Sequence, residues 1–303
     1  MKMRIKESKS YKIFRIFNTL LMLLLAVVFL FPYLNTLAKA FNDSSDTLRG
    51  GITIYPRAFS IENFKILFAD SAIPRATVIS VSRVAISVVL SLLVQFGAAY
   101  ALSKKMFPGK KLFVGLYSIP MFIAAGQVPL YVLISKMGLL NNFWVYIFPG
   151  LFSFYNVVII RTFIQNTIPS SVEESALIDG ATEIRIFFQI ILPLSTPILA
   201  TIALWVMVAQ WNDWTTTLYY IRNSKLYTLQ YIMMELVKES ERIQKMQEAA
   251  IASGQVIDEI KRATSSEGLI AAQVIVTTFP IICVYPFLQK YFVKGIMVGS
   301  VKG

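Results

Sequence analysis

The sequence predicts an all-α integral membrane protein with six transmembrane helices and a polar loop between the fourth and fifth. Three observations carry that expectation. The composition is 56% hydrophobic with a mean hydropathy of +0.62, above the roughly 45–50% apolar content of soluble domains. Apolar runs of about 20 residues, enough to cross a hydrocarbon core of about 30 Å, recur along the chain. The formal net charge of +12 comes mostly from lysines and arginines grouped in short segments beside those runs. That grouping is the positive-inside pattern, so the positive charge implies membrane orientation and not nucleic acid.

Taken in order, residues 1–16 carry Lys2, Arg4, Lys6, Lys9, Lys12 and Arg15 against Glu7, and are expected in the cytoplasm. Residues 17–287 are read as one six-span transmembrane domain. Its first span, 17–37, is longer than a signal-peptide core and no convincing small-residue cleavage site follows, so it reads as retained. Residues 42–74 are polar and turn-rich, an external loop in which Ser60 stands as a helix cap before Glu62-Asn63-Phe64. Span 2, 76–102, places Ser80, Arg83, Ser87, Ser91 and Gln95 on one face, which in lipid should turn inward. Lys104, Lys105, Lys110 and Lys111 mark a cytoplasmic turn. Span 3, 112–134, holds Pro120, Gly126, Gln127 and Pro129 and is expected to kink or open. Span 4 covers 143–163. Span 5, 197–216, begins at Thr196-Pro197, read as a cap followed by proline at the first helical position. An external segment, 217–267, contains a charged, solvated helix with a break at Ser253-Gly254. Span 6 covers 268–287, and Lys290, Lys294 and Lys302 hold the tail, 288–303, inside.

The loop 170–193 is the most polar break in the apolar middle. Ser170 and Ser171 each precede a glutamate, Glu173 and Glu174, by three residues, the spacing of a capping box. A helix is expected from about Val172 to Asp179, ended by Gly180, where positive φ or a tight bend would crowd any side chain. A second helix is expected from Thr182, with Ile184, Phe187, Phe188, Ile191 and Leu192 on one face and Pro193 as its stop. Asp179 either braces the bend against Arg185 or stands as a solvated carboxylate. Such a pair of helices suits an element that lies under a membrane and docks on a soluble partner.

The absence of histidine and the single cysteine, Cys283, exclude histidine-based catalysis, a disulfide framework and the usual zinc sites. No G-x-x-x-x-G-K-[S/T] phosphate loop occurs. No metal site is expected.

Glu174-Ser175-Ala176, three residues, Gly180, nine residues, then Ile190-x-Leu192-Pro193 resembles the EAA loop of ABC importer permeases, E-A-A-x(3)-G-x(9)-I-x-L-P. Only Ser175 departs, small for small. Ala176 to Ala181 resembles the carbohydrate branch, of the maltose-type second permease, and the Trp211-Asn212-Asp213 phrase is similar to that of sugar permeases. The resemblance implies the type I ABC importer permease fold, with Glu173, Glu174, Ser175, Ala176, Asp179, Gly180, Ile190, Leu192 and Pro193 coupling to an ATPase subunit. It implies a heterodimer with a second permease, two ATPase subunits that carry ATP and Mg, an extracytoplasmic solute-binding protein and a sugar or oligosaccharide cargo. The long segment after Tyr219 resembles the branch handling complex oligosaccharides. The location implied is the bacterial cell membrane, with both termini inside.

Other readings stand beside these. Glu174 fits a helix-capping carboxylate as well as a docking one. Arg83 either snorkels outward or meets substrate. Trp211, Asn212 and Asp213 form either an aromatic belt at the outer interface or, with Gln127 and Gln210, part of the substrate pathway. Tyr117, Phe122 and Tyr131 serve packing or the stacking of sugar rings. A permease of the same class for amino acids or phosphate is an alternative. An ion-coupled secondary transporter would want intramembrane carboxylates or inverted repeats, and neither is visible.

Overall fold

A computed structural model describes residues 8–47, 49–69, 71–123, 125–252 and 266–300. In chain order its helices are α1 (Lys9–Ala40), α2 (Ser44–Thr47), α3 (Glu62–Ala69), α4 (Ala72–Ser103), α5 (Lys110–Phe122), α6 (Gln127–Lys136), α7 (Phe154–Thr167), α8 (Ser170–Ile178), α9 (Glu183–Ile186), α10 (Leu192–Leu194), α11 (Thr196–Asn212), α12 (Thr215–Tyr220), α13 (Leu229–Ala252) and α14 (Ser266–Ser300). Among the described residues there is no strand, only an isolated bridge between Asn42 and Phe59.

Helices α1 and α4 and the stretch Glu267–Val284 of α14 are long and apolar enough to cross a membrane. Three bent helix pairs pass the same test only when taken together: α5 with α6 at 120°, Phe143–Gly150 with α7 at 50°, and Glu183–Leu194 with α11 at 78°. Counted as one span each, they complete the expected six.

Each bend has a cause in the sequence. Between α5 and α6 the chain leaves helical geometry, and Gly126 takes φ +83°, which a side chain disfavours. The single helix expected over 143–163 is corrected. Phe143–Tyr146 and Phe148–Gly150 are 3₁₀ turns, because Pro149 withholds a backbone donor there. Regular helix begins at Phe154, where the Ser153 hydroxyl accepts from the Asn156 amide at 3.5 Å. Thr196 is not the cap of α11 but lies inside it, and its hydroxyl donates to the Pro193 carbonyl at 2.6 Å. Helix α11 ends at Asn212, short of 216, since Asp213 is extended and restarts the chain into α12. Helix α14 runs through Pro280 and Pro286 to Ser300, so the segment after 287 expected as a tail continues the helix. The expected break at Ser253-Gly254 lies outside the described residues.

The chain divides into two compact units. One comprises Met1–Asp70 with Glu235–Thr278, the other Ser71–Met234 with Phe279–Gly303. In the first, Ala40 of α1 meets Ala271 and Ala272 of α14, with Phe64 and Ile275 beside them; small residues let helices approach closely. The polar segment after α1 is organised by two buried asparagines. Asn63 donates to the carbonyls of Ala40 at 3.1 Å and Asn42 at 2.9 Å, and accepts from the Ser44 hydroxyl at 2.6 Å. Gly268 faces this amide so closely that a Cβ there would lie 2.8 Å from Asn63 Nδ2. Ser60 accepts from the Glu62 amide at 3.1 Å at the start of α3, as its position before that helix predicts. The Asn42 hydrogen bond, against some desolvation and with help from Arg57, holds the Asp46 carboxyl below its ordinary value of 3.8. That contribution is present at neutral pH and lost as pH falls through the depressed value.

In the second unit α4 packs along α7 and α11. Phe96, Ile160, Ile191 and Ile202 lie in one core cluster, while Ile134, Tyr146, Ile147 and Tyr220 form another.

Asn63→Leu is expected to lower the melting temperature of the detergent-solubilised protein. It strips two buried carbonyls of their donor, at about 1–3 kcal/mol each. Gly268→Leu should do so by collision with the intact amide. An unchanged melting temperature in both would show that this junction is incidental.

Candidate functional site

The loop 170–193 folds as two short helices about a glycine turn. Helix α8 begins at Ser170 directly after Pro169, whose extended backbone occupies the cap position and makes no side-chain cap bond. The expected capping box is therefore corrected, since both serines lie within the first turn. Glycine 180 has φ +79°; its amide donates to the Leu177 carbonyl at 3.0 Å, and the Ala181 amide reaches back to the Ala176 carbonyl at 2.9 Å. This pair of bonds is a Schellman closure, and its usual apolar contact falls between the two positions bonded last. Those positions are Ala176, buried, and Ala181, half-buried against the same core. A Cβ at position 180 would meet nothing within 4 Å, so the expected crowding is absent and the glycine is required by φ alone.

After the turn, the Thr182 hydroxyl accepts from the Arg185 amide at 3.3 Å and starts α9. Phe187–Ile191 then form a π turn, and α10 carries Pro193 through to a bend at Ser195. Proline lacks the amide an α-helix would use at that position, and a widened turn accommodates the loss. Pro193 thus lies inside the helical path and does not stop it. Of the expected face, Phe187, Ile191 and Leu192 pack on the core, with Ile186 buried beside them, while Ile184 is 73% exposed and Phe188 points outward. Arg185 bonds Gln189 at 2.9 Å and does not brace Asp179. Ile190 and Leu192 pack on the core; Glu174, Ser175 and Asp179 are exposed.

The loop is tied to α4 by a residue that the sequence marks only as a positive charge. Lys104, directly after α4, pairs with Glu173 of α8 and, at 3.2 Å, with Glu183 of α9. Its ammonium lies 4.4 Å from the centre of the Tyr100 ring, and the Tyr100 hydroxyl donates to Glu183 at 3.0 Å. Desolvation pulls the Lys104 pKa down, but the hydrogen bonds with Glu173, Tyr100 and Glu183 outweigh it and leave it above the ordinary 10.5. The ammonium is therefore charged at every physiological pH, and its contribution would fade only in strong alkali. One lysine spans the turn and holds both halves of the loop to the end of α4.

A second polar centre lies at the far end of α4. Arg83 is 2% exposed and does not snorkel. Its guanidinium donates to Gln210 at 2.7 Å and to the Asp213 carbonyl at 2.9 Å, pairs with the Asp213 carboxylate, and sits 4.6 Å from the Tyr146 ring centre. Tyr146 continues the network through Thr217 at 2.9 Å and the Leu226 carbonyl at 2.8 Å. Ser80 accepts from the Leu229 amide at 2.9 Å. Arg83, Gln210 and Asp213 are thus engaged with one another within the chain, and Trp211 is buried beside them. Gln127 and Asn212 are exposed, with long 3.5 Å bonds to Tyr220 and Gln230 respectively.

Residues 110–298 match the family described as binding-protein-dependent transport system inner membrane component. The chain belongs to that family. This permease is 32% identical over 298 residues to protein LplC of Bacillus subtilis (strain 168), covering 98% of this chain and 97% of that one. It is 32% identical to the polygalacturonan/rhamnogalacturonan transport system permease protein YtcP of the same organism, over 95% of this chain and 99% of the relative. Its fold matches a chain in the crystal structure of a bacterial ABC transporter involved in the import of the acidic polysaccharide alginate, with TM-score 0.82 and 25% identity over 95% of this chain. The permease is an ABC transport subunit of the inner membrane and has the type I importer permease fold.

Two outcomes test the geometry in this permease. Lys104→Met should abolish most binding-protein-stimulated ATP hydrolysis in the complete transporter while leaving membrane insertion intact, and Lys104→Arg should restore part of it. Gly180→Val, forced to positive φ at about 1–2 kcal/mol, should impair the same stimulation, whereas Gly180→Asn should be mild. Separately, Asp213→Leu leaves a buried guanidinium unpaired and should destabilise the solubilised protein by about 3–5 kcal/mol, with much of that recovered in Arg83→Met/Asp213→Leu.

Proposed function

We propose that this permease forms half of the translocation pathway of an ATP-driven importer for oligosaccharides, including acidic ones. The observation that carries the reading is its full-length likeness to carbohydrate permeases. Besides YtcP, it is 29% identical over 288 residues to the arabinooligosaccharides permease AraQ of Halalkalibacterium halodurans. The structural likeness is to an importer of an acidic polysaccharide. The partners proposed are a second permease subunit, two ATPase subunits that bind ATP and Mg, and an extracytoplasmic solute-binding protein. Glu174, Ser175 and Asp179 are proposed to meet the ATPase subunit directly. Glu173, Ala176, Gly180, Ile190, Leu192 and Pro193 shape and hold the loop that presents them. Gln127 and Asn212, exposed and weakly bonded, are proposed to line the pathway. Arg83, Gln210, Trp211 and Asp213 are proposed to close its outer end. Both termini and the loop 170–193 are assigned to the cytoplasm, and 217–267 to the outside, from the charge pattern.

The test is reconstitution of the permease with its partner subunits and binding protein. Trigalacturonate or an arabinooligosaccharide, delivered by the binding protein, is expected to raise ATP hydrolysis several-fold, and amino acids or phosphate are not. Stimulation by an amino acid or phosphate alone would overturn the carbohydrate assignment. The orientation has its own check in a Cys283→Ser background. Gln244→Cys should react with an impermeant thiol reagent in intact cells, and Ser175→Cys only after permeabilisation.

A further inference from the structure

The second unit presents a strip of aromatic rings that the network above does not use. Tyr117 of α5 sits against Phe152 and Phe154, with ring centres 5.3 and 5.8 Å away, and Tyr155 of α7 stacks on Trp205 of α11 at 6.2 Å and 24°. Tyr117, Phe152, Phe154 and Tyr155, with Pro120 and Met121, line a cavity of about 620 Å³, within the range of small-molecule sites. Phe154 belongs to the buried core, but the other rings do not. Tyr117 is 44% exposed, Tyr155 54% and Trp205 40%.

Their polar atoms decide what should cover them. Trp205 lies at the middle of α11, and Tyr155 at the middle of the bent pair Phe143–Gly150 plus Phe154–Thr167, so under the proposed topology both fall within the hydrocarbon layer. Neither the two tyrosine hydroxyls nor the Trp205 indole N–H has a hydrogen-bond partner among the described residues. Tyrosine and tryptophan normally find a partner when taken out of water, and acyl chains offer none. At the cavity's edge α5 ends within two residues of Pro120 and Met121, leaving non-helical backbone from Ile123. Such backbone is tolerated at depth only where protein or a wet cavity covers it. A pyranose ring answers the demands of the rings and of their polar atoms, because its C–H faces stack on aromatic rings and its hydroxyl rim bonds phenols and indole.

We propose that Tyr117, Phe152, Tyr155 and Trp205 form a stacking site through which this subunit itself grips a sugar ring of the cargo in mid-membrane. The proposal rests on the carbohydrate reading. The strip gives a sequence-tolerant hold, since every pyranose has such a face, and the tyrosine hydroxyls set the register.

The test uses the complete reconstituted importer with its binding protein, ATP and trigalacturonate. Tyr155→Leu and Trp205→Leu should each reduce uptake at least tenfold in complexes that co-purify all subunits. Tyr155→Phe should keep the maximal rate but raise KM several-fold. In a Cys283→Ser background, Tyr155→Cys should be labelled by a small polar thiol reagent during turnover and protected by trigalacturonate. Uptake unchanged in both leucine variants would overturn the proposal while leaving oligosaccharide import standing. A cysteine at 155 that is shielded in the complex without sugar but reactive in the isolated subunit would assign the strip to the second permease instead. One unreactive in both would assign it to lipid. An intact complex that takes up no oligosaccharide would remove the import reading and this site with it.

Discussion

Hydrocarbon offers no hydrogen bonds, and most of this structure is a response to that fact. Among the described residues, only α1, α4 and the stretch Glu267–Val284 of α14 are single helices long and apolar enough to cross. The three further candidate crossings are bent pairs, and polar groups freed at their breaks find partners within the chain. Gln95 donates to the Leu151 carbonyl at 3.0 Å, just where the 3₁₀ segment gives way before α7. Gln210 donates to the Tyr146 carbonyl at 3.3 Å on the same irregular segment. The polar stripe of α4 is thus a set of tethers for the bent crossings around it. Ser87 and Ser91 are buried without a partner among the described residues, which marks the middle of that stripe as its least satisfied part.

The same helix carries the second requirement of a transport subunit, a mechanical path along its length. At one end α4 holds the bend after α11 through Arg83. At the other, Lys104 grips both helices of the loop that follows α7. Between them α4 packs against α7 and α11, and Phe96 and Tyr100 meet Phe187 in the π turn at 5.1 and 5.2 Å. A displacement of the loop therefore reaches α4 directly through an ion-paired clamp and an aromatic contact.

Much of this was legible in the sequence. The six crossings, the loop, its glycine and the inward polar face of α4 follow from hydropathy, spacing and charge. What misled was local and physical. The serines before Glu173 and Glu174 have capping spacing, yet Pro169 already fixes the extended residue that starts the helix. The apolar face expected after Thr182 assumed a constant 3.6-residue period, which the π turn at Phe187–Ile191 breaks. Lys104 was visible only as one of several inner lysines. Its partners lie 69 and 79 positions away, and no local periodicity pairs residues across that distance. Arg83 and Asp213 were each singled out, but their union needs the fold. A stripe of polar residues announces that something must answer it without saying whether the answer is substrate or another helix.

The division of the loop into inward and outward positions explains why its one departure from the family pattern is tolerated. Ala176 is buried and closes the turn against Ala181, so a larger side chain there would push α8 off the core. Ser175, one position earlier, is exposed, and a hydroxyl there makes no demand on the chain. Beside it stand Glu174, Leu177, Ile178 and Asp179, all exposed, with Ile178 at 87%. An apolar pair rimmed by two carboxylates meets no counterpart among the described residues. Under the proposed topology the patch faces the cytoplasm, so lipid does not cover it either. Its composition fits a short helix seated in a groove, where the apolar residues anchor and the charges set orientation. The inner face of the loop is thus answered by Lys104 and the core, and the outer face is left free for the proposed ATPase subunit, which is the division a rigid coupling element requires.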